Sequence, residues 1–195
     1  AWDILPDYKY SNFVIRCGGN EGIGSGRMAS TAIRMGAEAR DRGMRTVVMD
    51  PIGYMAASKA DEWIPILPGT DLAVFLSMAN LIVNEIGIYD KEFIRDKTNG
   101  PYLAGPDRLF VRDAGSGKPL LWDEKDGKAK TYDDPTLTRP ALEGEYTVNG
   151  IKCHPAFHLL KEHLKQYNPA WAAKISTVPE KTIRRLTKEI SGYRC

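Results

Sequence analysis

The chain lacks the features that would indicate a cysteine-based metal centre, a membrane protein or a nucleic-acid-binding protein. Its three cysteines form no CxxC pair, so neither a disulfide framework nor a zinc site is expected. No apolar run reaches roughly 18 residues, and therefore no transmembrane segment is predicted. The net charge of +2 is not concentrated in a basic run, which gives no indication of a nucleic-acid partner.

The N-terminus also lacks an initiator methionine and a signal-peptide pattern, because the chain opens with Ala1, Trp2 and Asp3. We therefore expect the chain to begin inside a longer protein. What is present is ordinary for a globular domain. The composition is 43% hydrophobic and 27% charged, and 195 residues accommodate one domain with a sizeable core.

The first half of the chain alternates between short apolar runs and helical segments. Buried strands are predicted at residues 13–15, 46–49 and 63–66. Helices are predicted at residues 28–42, 70–87 and 89–97. Pro65 either ends the third strand or places it at a sheet edge. This order is typical of an α/β fold, a parallel sheet with helices on both faces.

The predicted helix at residues 70–87 has the clearest boundaries. Thr70 is expected to cap its N-terminus, and Gly87 ends it. Helical spacing predicts a core-facing side that carries Leu72, Phe75, Leu76, Ala79, Ile82 and Val83.

Residues 100–150 differ in character, because turn-forming residues recur every few positions. Asp126-Gly127 and Asn149-Gly150 stand between short apolar runs and predict β-hairpins. The apolar content of this segment is thin, so we expect an inserted, partly β excursion rather than a second domain.

The remaining residues return to helix. One helix is predicted at residues 155–167, and Asn168-Pro169 is expected to break it. A final helix is predicted from Pro179 to Gly192, with three residues facing inward: Ile183, Leu186 and Ile190.

A glycine-rich segment, CGGNEGIGSG at positions 17–26, joins the first strand to the first helix. Glycines there let the backbone approach a diphosphate, and the helix N-terminus offers free N–H groups. Asp50 ends the next strand, where a carboxylate can accept a hydrogen bond from a ribose hydroxyl. The pattern predicts a nucleotide site at the carboxyl ends of parallel strands. A tight turn without a ligand is the alternative.

A second motif, PGTD at positions 68–71, follows the third strand. One interpretation is that Thr70 or Asp71 is only a helix N-cap. The functional interpretation has the Asp71 carboxylate pointing across the strand ends. There it would accept two N–H bonds from the edge of a guanine, a pair that adenine cannot offer.

Several motifs, in order along the chain, resemble one family. ADEWIPILPGTD at positions 60–71, preceded by Asp50-Pro51, is similar to a hallmark segment of molybdopterin oxidoreductases of the dimethyl sulfoxide reductase family. Further similar segments are Gly19-Asn20, GIYDKEF at 87–93, YNPAWA at 167–172 and VPEKTIR at 178–184. The resemblance covers nearly the whole chain outside residues 100–150.

The resemblance implies that residues 1–195 form one Rossmann-like domain that binds a pterin guanine dinucleotide and is a fragment of a large catalytic subunit. The parent enzyme would hold molybdenum or tungsten in a bis(molybdopterin guanine dinucleotide) cofactor, with an iron–sulfur cluster elsewhere in its chain. The implied partners are an electron-transfer iron–sulfur subunit and the remaining domains of the catalytic subunit.

The same resemblance implies which residues bind the nucleotide arm of one pterin: Gly18, Gly19, Asn20, Glu21, Asp50, Gly69, Thr70 and Asp71. It implies no catalytic residue and no metal ligand within this chain, so the isolated chain is expected to be inactive. Two positions depart from the family pattern, because Ile52 stands where arginine often follows Asp-Pro and Glu21 stands where proline often follows the asparagine.

Two other functions fit parts of the sequence. Residues 18–24 resemble the glycine loop of NAD(P)-dependent short-chain reductases, although the tyrosine–lysine pair of those enzymes is not found. The second alternative is a non-enzymatic α/β interaction domain, in which the glycine loop is only a turn. His154, His158 and His163 have no obvious further ligand nearby, so no metal site is expected. The substrate is not indicated.

Overall fold

The structure, a computed structural model, describes residues 7–19, 29–53 and 55–192. Its strands are β1 (Phe13–Cys17), β2 (Arg45–Met49), β3 (Glu62–Ile64), β4 (Leu103–Ala104), β5 (Leu120–Asp123), β6 (Lys128–Thr131), β7 (Tyr146–Val148) and β8 (Ile151–Pro155). Its helices are α1 (Ala29–Asp41), α2 (Met55–Ser58), α3 (Asp71–Asn80), α4 (Lys91–Lys97), α5 (Ala156–Leu164), α6 (Pro169–Ser176) and α7 (Glu180–Gly192). A π-helical segment, Leu81–Ile86, continues α3.

The chain divides into two compact units, one formed by Ala1–Glu85 with Tyr167–Cys195 and the other by Ile86–Gln166. The first unit holds a parallel sheet in the order β1-β2-β3. The second holds an antiparallel sheet in the order β4-β8-β7 and the separate hairpin β5-β6. Residues 100–150 lie within the second unit, and their assignment as an insertion in a single domain stays a prediction.

Helices pack on both faces of the parallel sheet because the side chains of β1 alternate. On one face, Val14 packs in a cluster with residues of α1: Ala32, Met35 and Ala39. On the other face, Phe13, Ile15 and Cys17 pack against the main core, whose buried residues come from β2, β3, α3, α6 and α7. The predicted α/β fold with a parallel sheet is therefore confirmed.

The buried side of α3 differs from the predicted one. Val74 and Met78 lie in the main core, whereas Leu72 is 69% exposed and Phe75 is exposed as well. The prediction was wrong for these last two residues. Because α3 is apolar on nearly all sides, the spacing of its apolar residues does not select one face.

The C-terminal region contains one helix more than predicted. Asn168 and Pro169, interpreted from the sequence as a break, begin α6. The side-chain Oδ1 of Asn168 accepts a hydrogen bond from the Trp171 N–H at 2.9 Å, and Pro169 lies in the first turn. Asparagine at the N-cap followed by proline is a helix-start signal.

The final helix, α7, joins the main core and the sheet. Ile183 and Leu186 are fully buried as predicted, whereas Ile190 is exposed. The charged side chains of α7 join β2 and β3 through a ring of ion pairs among Arg45, Glu62, Arg185 and Glu189.

The second unit has a hydrophobic core of its own, although its sequence is thin in apolar residues. Its buried members are Leu103, Val111, Leu120, Val148 and Cys153. Both predicted hairpins form, β5-β6 and β7-β8. In the second hairpin, Asn149 and Gly150 have positive φ angles of 53° and 77°, as a two-residue type I′ turn requires.

Asp123 organises the second unit from a fully buried position. Its carboxylate accepts hydrogen bonds from Lys130 Nζ at 2.8 Å and from the backbone N–H groups of Thr138 and Arg139 at 3.1 and 3.2 Å. The Lys130 ammonium and these N–H groups hold the pKa of Asp123 well below its usual value, although burial opposes them. Lys130 also bonds the more exposed Asp126.

Among the described residues no single helix is long and apolar enough to cross a membrane. One bent pair, Asp71–Ile86 with Lys91–Lys97, meets that length and composition only when its two parts are taken together. The first part buries one side in the main core.

Substitutions on the two sides of α3 should differ in their effect on stability. We expect Met78→Ala to lower the free energy of unfolding by about 2–5 kcal/mol, because it removes buried atoms and leaves a cavity. Leu72→Ala, at a largely exposed position, should change it by about 0.5 kcal/mol or less. Urea denaturation of both variants is the measurement. Equal losses would contradict the observed orientation of α3.

Asp123→Asn should destabilise the protein more at pH 7 than at pH 3. The folded-state pKa of Asp123 is depressed. Its carboxylate therefore stabilises the fold above the unfolded pKa of about 3.9, and this contribution is lost as the pH falls through the folded pKa. Urea denaturation at the two pH values, followed by the near-UV signal of Trp122 stacked on Tyr146, measures the difference.

Asp126→Asn is the matched control, because Asp126 bonds the same ammonium but is 43% exposed. It should change the free energy of unfolding by less than about 1 kcal/mol. If the loss for Asp123→Asn is equally small, or grows toward pH 3, the stabilising role of the buried carboxylate is wrong.

Candidate functional site

The carboxyl ends of β1, β2 and β3 meet at one edge of the sheet. Cys17 pairs with Met49, and Met49 pairs with Ile64, so the residues that follow the strands lie side by side. The pairing continues one residue further. The Gly18 N–H donates to the Met49 carbonyl and the Asp50 N–H donates to the Ile64 carbonyl, both at 3.2 Å. The first residues after β1 and β2 are thus fixed to the neighbouring strand.

Asp50 begins a tight loop after β2. Its Oδ1 accepts a hydrogen bond from the Ile52 N–H at 2.9 Å, and its carbonyl oxygen accepts one from the indole N–H of Trp63, also at 2.9 Å. Its Oδ2 accepts none from the residues that the structure describes. One oxygen of this half-buried carboxylate therefore has no hydrogen-bond donor among residues 7–19, 29–53 and 55–192.

The PGTD motif forms a turn before α3. The Thr70 N–H donates to the Leu67 carbonyl at 3.3 Å, and Gly69 has a positive φ of 78°. In this four-residue turn, which runs from Leu67 to Thr70, proline is at the second position and glycine at the third, as is typical of a type II turn. The Thr70 hydroxyl donates to the same carbonyl at 2.6 Å and makes no cap bond to α3. Thr70 is the N-cap residue of this helix, as predicted, but its side chain makes no cap bond because the turn uses the hydroxyl.

The C-terminal helices hold this turn in place. The Leu67 N–H donates to the carbonyl of Ser176, the last residue of α6, at 3.0 Å. Ser176 is itself fully buried. The segment between β3 and α3 therefore depends on residues more than a hundred positions later in the chain.

Asp71 is the first residue of α3 and is half-buried. Its carboxylate accepts no hydrogen bond within the described parts of the chain. Its negative charge is felt by Cys17 at the end of β1. Burial raises the pKa of the Cys17 thiol to about 11, and the Asp71 carboxylate adds to this rise. Asp71 therefore lies close to the end of β1 as well as following β3.

The predicted cofactor-binding residues that the structure describes all lie at this edge: Gly18, Gly19, Asp50, Gly69, Thr70 and Asp71. The other two, Asn20 and Glu21, lie outside the described residues, as does the rest of the glycine-rich segment after them. The structure brings the described residues to one edge of the sheet, and their binding of a cofactor stays a prediction.

Sequence analysis did not predict the hydrogen bond between Trp63 and Asp50. The predicted strand at residues 63–66 includes this tryptophan, but the periodicity of a strand does not indicate which neighbouring loop its indole N–H contacts. Only the pairing of Trp63 with Val48, two residues before Asp50, brings the indole to the loop.

The three histidines of the C-terminal half lie in the second unit. The rings of His154 and His158 stack with centroids 4.8 Å apart, and His154 Nδ1 lies 2.8 Å from the Gly144 carbonyl oxygen. In the described ranges, no group of three or more His, Cys, Asp or Glu side chains is arranged to hold a metal ion. A cavity of about 710 Å³ borders His154 and His163 and is lined only by residues of this unit.

No family model matches the chain, but curated proteins do. The chain is 36% identical over 173 residues to one subunit of the sulfite dehydrogenase of Allochromatium vinosum, a match that covers 79% of the chain and 17% of that protein. It is 31% identical over 195 residues to the perchlorate reductase alpha subunit of Dechloromonas aromatica, covering 78% and 21%. It is also 31% identical over 169 residues to the molybdopterin-containing subunit of arsenate respiratory reductase of Chrysiogenes arsenatis, covering 87% and 16%.

A solved structure shares the fold. Acetylene hydratase from Pelobacter acetylenicus matches 94% of the chain with a TM-score of 0.56 and 22% identity, over 17% of its own length. The chain spans about a fifth of the length of the curated relatives it matches. These relatives favour neither the short-chain reductase nor the interaction domain. The chain belongs to the molybdopterin oxidoreductase family and corresponds to part of the catalytic subunit of a molybdopterin-dependent enzyme.

Proposed function

We propose that the carboxyl edge of the parallel sheet binds the guanosine end of one arm of a bis(molybdopterin guanine dinucleotide) cofactor. The sheet edge would belong to a Rossmann-like domain of a molybdenum or tungsten oxidoreductase. The observation that carries the proposal is the Asp71 carboxylate. It is half-buried at the strand ends and accepts no hydrogen bond from the described residues.

A half-buried carboxylate is stabilised by hydrogen-bond donors. A half-buried charged group without hydrogen bonds is costly, because burial removes part of its hydration. The N1–H and 2-amino groups of a guanine would supply two parallel donors to its two oxygens. Both bonds would be charge-assisted and therefore stronger than bonds between neutral groups.

The other groups at the edge fit the rest of a nucleotide. The Oδ2 atom of Asp50 is an acceptor suited to a ribose hydroxyl, and Gly18 has no side chain to obstruct a phosphate. Ile52 is exposed beside Asp50, so the arginine that often stands at this position in the family is not available to the diphosphate.

The range of the relatives also supports a cofactor role. By their names, sulfite dehydrogenase, perchlorate reductase and dimethylsulfide dehydrogenase act on different substrates, yet each matches at least three quarters of this chain. A segment that such enzymes share is better suited to a common cofactor than to a particular substrate. We therefore assign no substrate to it.

When bound, the metal of this cofactor supplies the redox chemistry, and the residues of this chain bind and orient the nucleotide arm. We propose that an iron–sulfur cluster and the metal ligand belong to other parts of the catalytic subunit. An electron-transfer iron–sulfur subunit would be the partner of the whole enzyme.

Asp71→Asn tests the guanine contact in the full-length enzyme. The substitution keeps the shape but removes the charge and presents an amide donor to a guanine donor. Each charge-assisted bond contributes roughly 1.5–3 kcal/mol, so guanine-nucleotide binding should weaken about tenfold to a few hundredfold. The measurement is the guanosine monophosphate released by acid hydrolysis per purified subunit, with cytidine monophosphate measured in parallel.

Asp90→Asn is the matched control. Asp90 is a true N-cap, because its Oδ1 accepts a hydrogen bond from the Phe93 N–H at 2.8 Å, and asparagine caps nearly as well. This control should leave the guanosine content unchanged. Normal guanosine content and normal preference for guanine over cytosine in Asp71→Asn would refute the proposed contact.

The isolated chain should carry no stoichiometric molybdenum or tungsten and should not reduce or oxidise a dye. Its three cysteines cannot provide the cysteine cluster of an iron–sulfur centre, and the second pterin would bind elsewhere in the subunit. Metal analysis and a dye-coupled assay of the purified chain are the measurements. Stoichiometric metal together with turnover would overturn the assignment of this chain as one part of the cofactor site.

A further inference from the structure

We infer that Trp63 is a positioning residue that holds the Asp50 carboxylate at the nucleotide-binding edge, through a hydrogen bond and a close contact with the loop at residues 50–53. This inference rests on the proposed function, because it assigns Trp63 a role toward the nucleotide through Asp50. It concerns a contact between β3 and the loop after β2 that is separate from the guanine contact of Asp71.

The backbone of Asp50 is fixed on both sides by β3. Its N–H donates to the Ile64 carbonyl at 3.2 Å, and its carbonyl oxygen accepts the indole N–H of Trp63 at 2.9 Å. The first bond continues the strand pairing. The second replaces the backbone bond that the strands can no longer make where the loop turns away.

The orientation of the Asp50 carboxylate depends on the backbone of the loop. Asp50 Oδ1 accepts the Ile52 N–H at 2.9 Å, which closes a small side-chain turn within the loop. Because Oδ1 is held by the Ile52 N–H of the same loop, the position of Oδ2 depends on the conformation of the loop. A loop that loses the Trp63 bond is free to change this conformation and to move Oδ2 away from a ribose hydroxyl.

The other end of the loop lies against the indole ring. A Cβ atom added at Gly53 would be 2.9 Å from three indole carbons of Trp63 (Cδ2, Cε2 and Cε3). Real Cβ atoms do not approach other atoms so closely, so only glycine allows this packing. The same side chain therefore bonds the first residue of the loop and contacts the last.

This arrangement also accounts for a tryptophan at an exposed position. Trp63 is 43% exposed, so burial of its ring in the core does not explain the choice of so large a side chain. Phenylalanine would supply a ring for Gly53 to pack on but no N–H donor. Both features of the indole are used by the loop.

The test uses the full-length catalytic subunit with Trp63→Phe, which keeps a ring and removes the donor. We expect the guanosine monophosphate released per subunit to fall, with binding about three- to tenfold weaker, as the loss of one hydrogen bond implies. Hydrogen exchange of the Ile52 amide, the donor to Asp50, should become faster by a similar factor.

Trp171→Phe is the matched control, because Trp171 lies in the same unit but packs against Tyr167 and the main core rather than against the loop. It should leave both the guanosine content and the Ile52 exchange rate at their wild-type values. Gly53→Ala is the second variant. It keeps the indole but forces the loop away from it, and it should change both measurements in the same direction as Trp63→Phe.

The outcomes separate this inference from the proposed function. If Asp50→Asn and Asp71→Asn lower the guanosine content while Trp63→Phe and Gly53→Ala change neither measurement, the proposed function stands and the inference is wrong. If Asp50→Asn and Asp71→Asn leave the guanosine content unchanged, the proposed function fails and with it the role of Trp63 toward a nucleotide. Faster Ile52 exchange with lower guanosine content in both loop variants supports the inference.

Discussion

The candidate site depends on the parallel pairing of β1, β2 and β3. Strands that run in the same direction end at the same edge, so residues far apart in sequence, such as Cys17 and Met49 or Met49 and Ile64, become neighbours. The register is well determined, because a shift of one residue would exchange Val14 with Ile15 between two different hydrophobic clusters. The packing of both faces therefore fixes where Gly18 and Asp50 stand.

The position of the segment that follows β3 is less well determined by the sheet alone. β3 is short, and Pro65 follows it directly, so strand pairing cannot extend to the PGTD turn. The chain compensates with its C-terminal helices, since Ser176 of α6 accepts the Leu67 N–H and Ile183 of α7 fills the main core. The first unit is complete only when the chain returns to it after residues 86–166.

The strands and most helices of the first unit could be predicted from local signals, because apolar runs of three or four residues and the glycines that end helices are visible within short stretches of sequence. The buried face of α3 could not be predicted in this way, because Leu72 and Val74 are both apolar. Which of them is buried depends on how the neighbouring helices pack. The site residues of the PGTD motif were identified by resemblance to the family. The hydrogen bond of the Thr70 hydroxyl within the type II turn is seen only in the structure. The contact of Trp63 with Asp50 required the register between two strands, which no single-strand pattern contains.

The raised pKa of the Cys17 thiol has a chemical consequence for a protein of this family. With a pKa of about 11, only about one thiol in ten thousand is ionised at pH 7. Soft metal ions and peroxides both react with the thiolate rather than the thiol. The sulfur atom at the end of β1, close to Asp71, is therefore an almost entirely protonated and weakly reactive thiol at neutral pH.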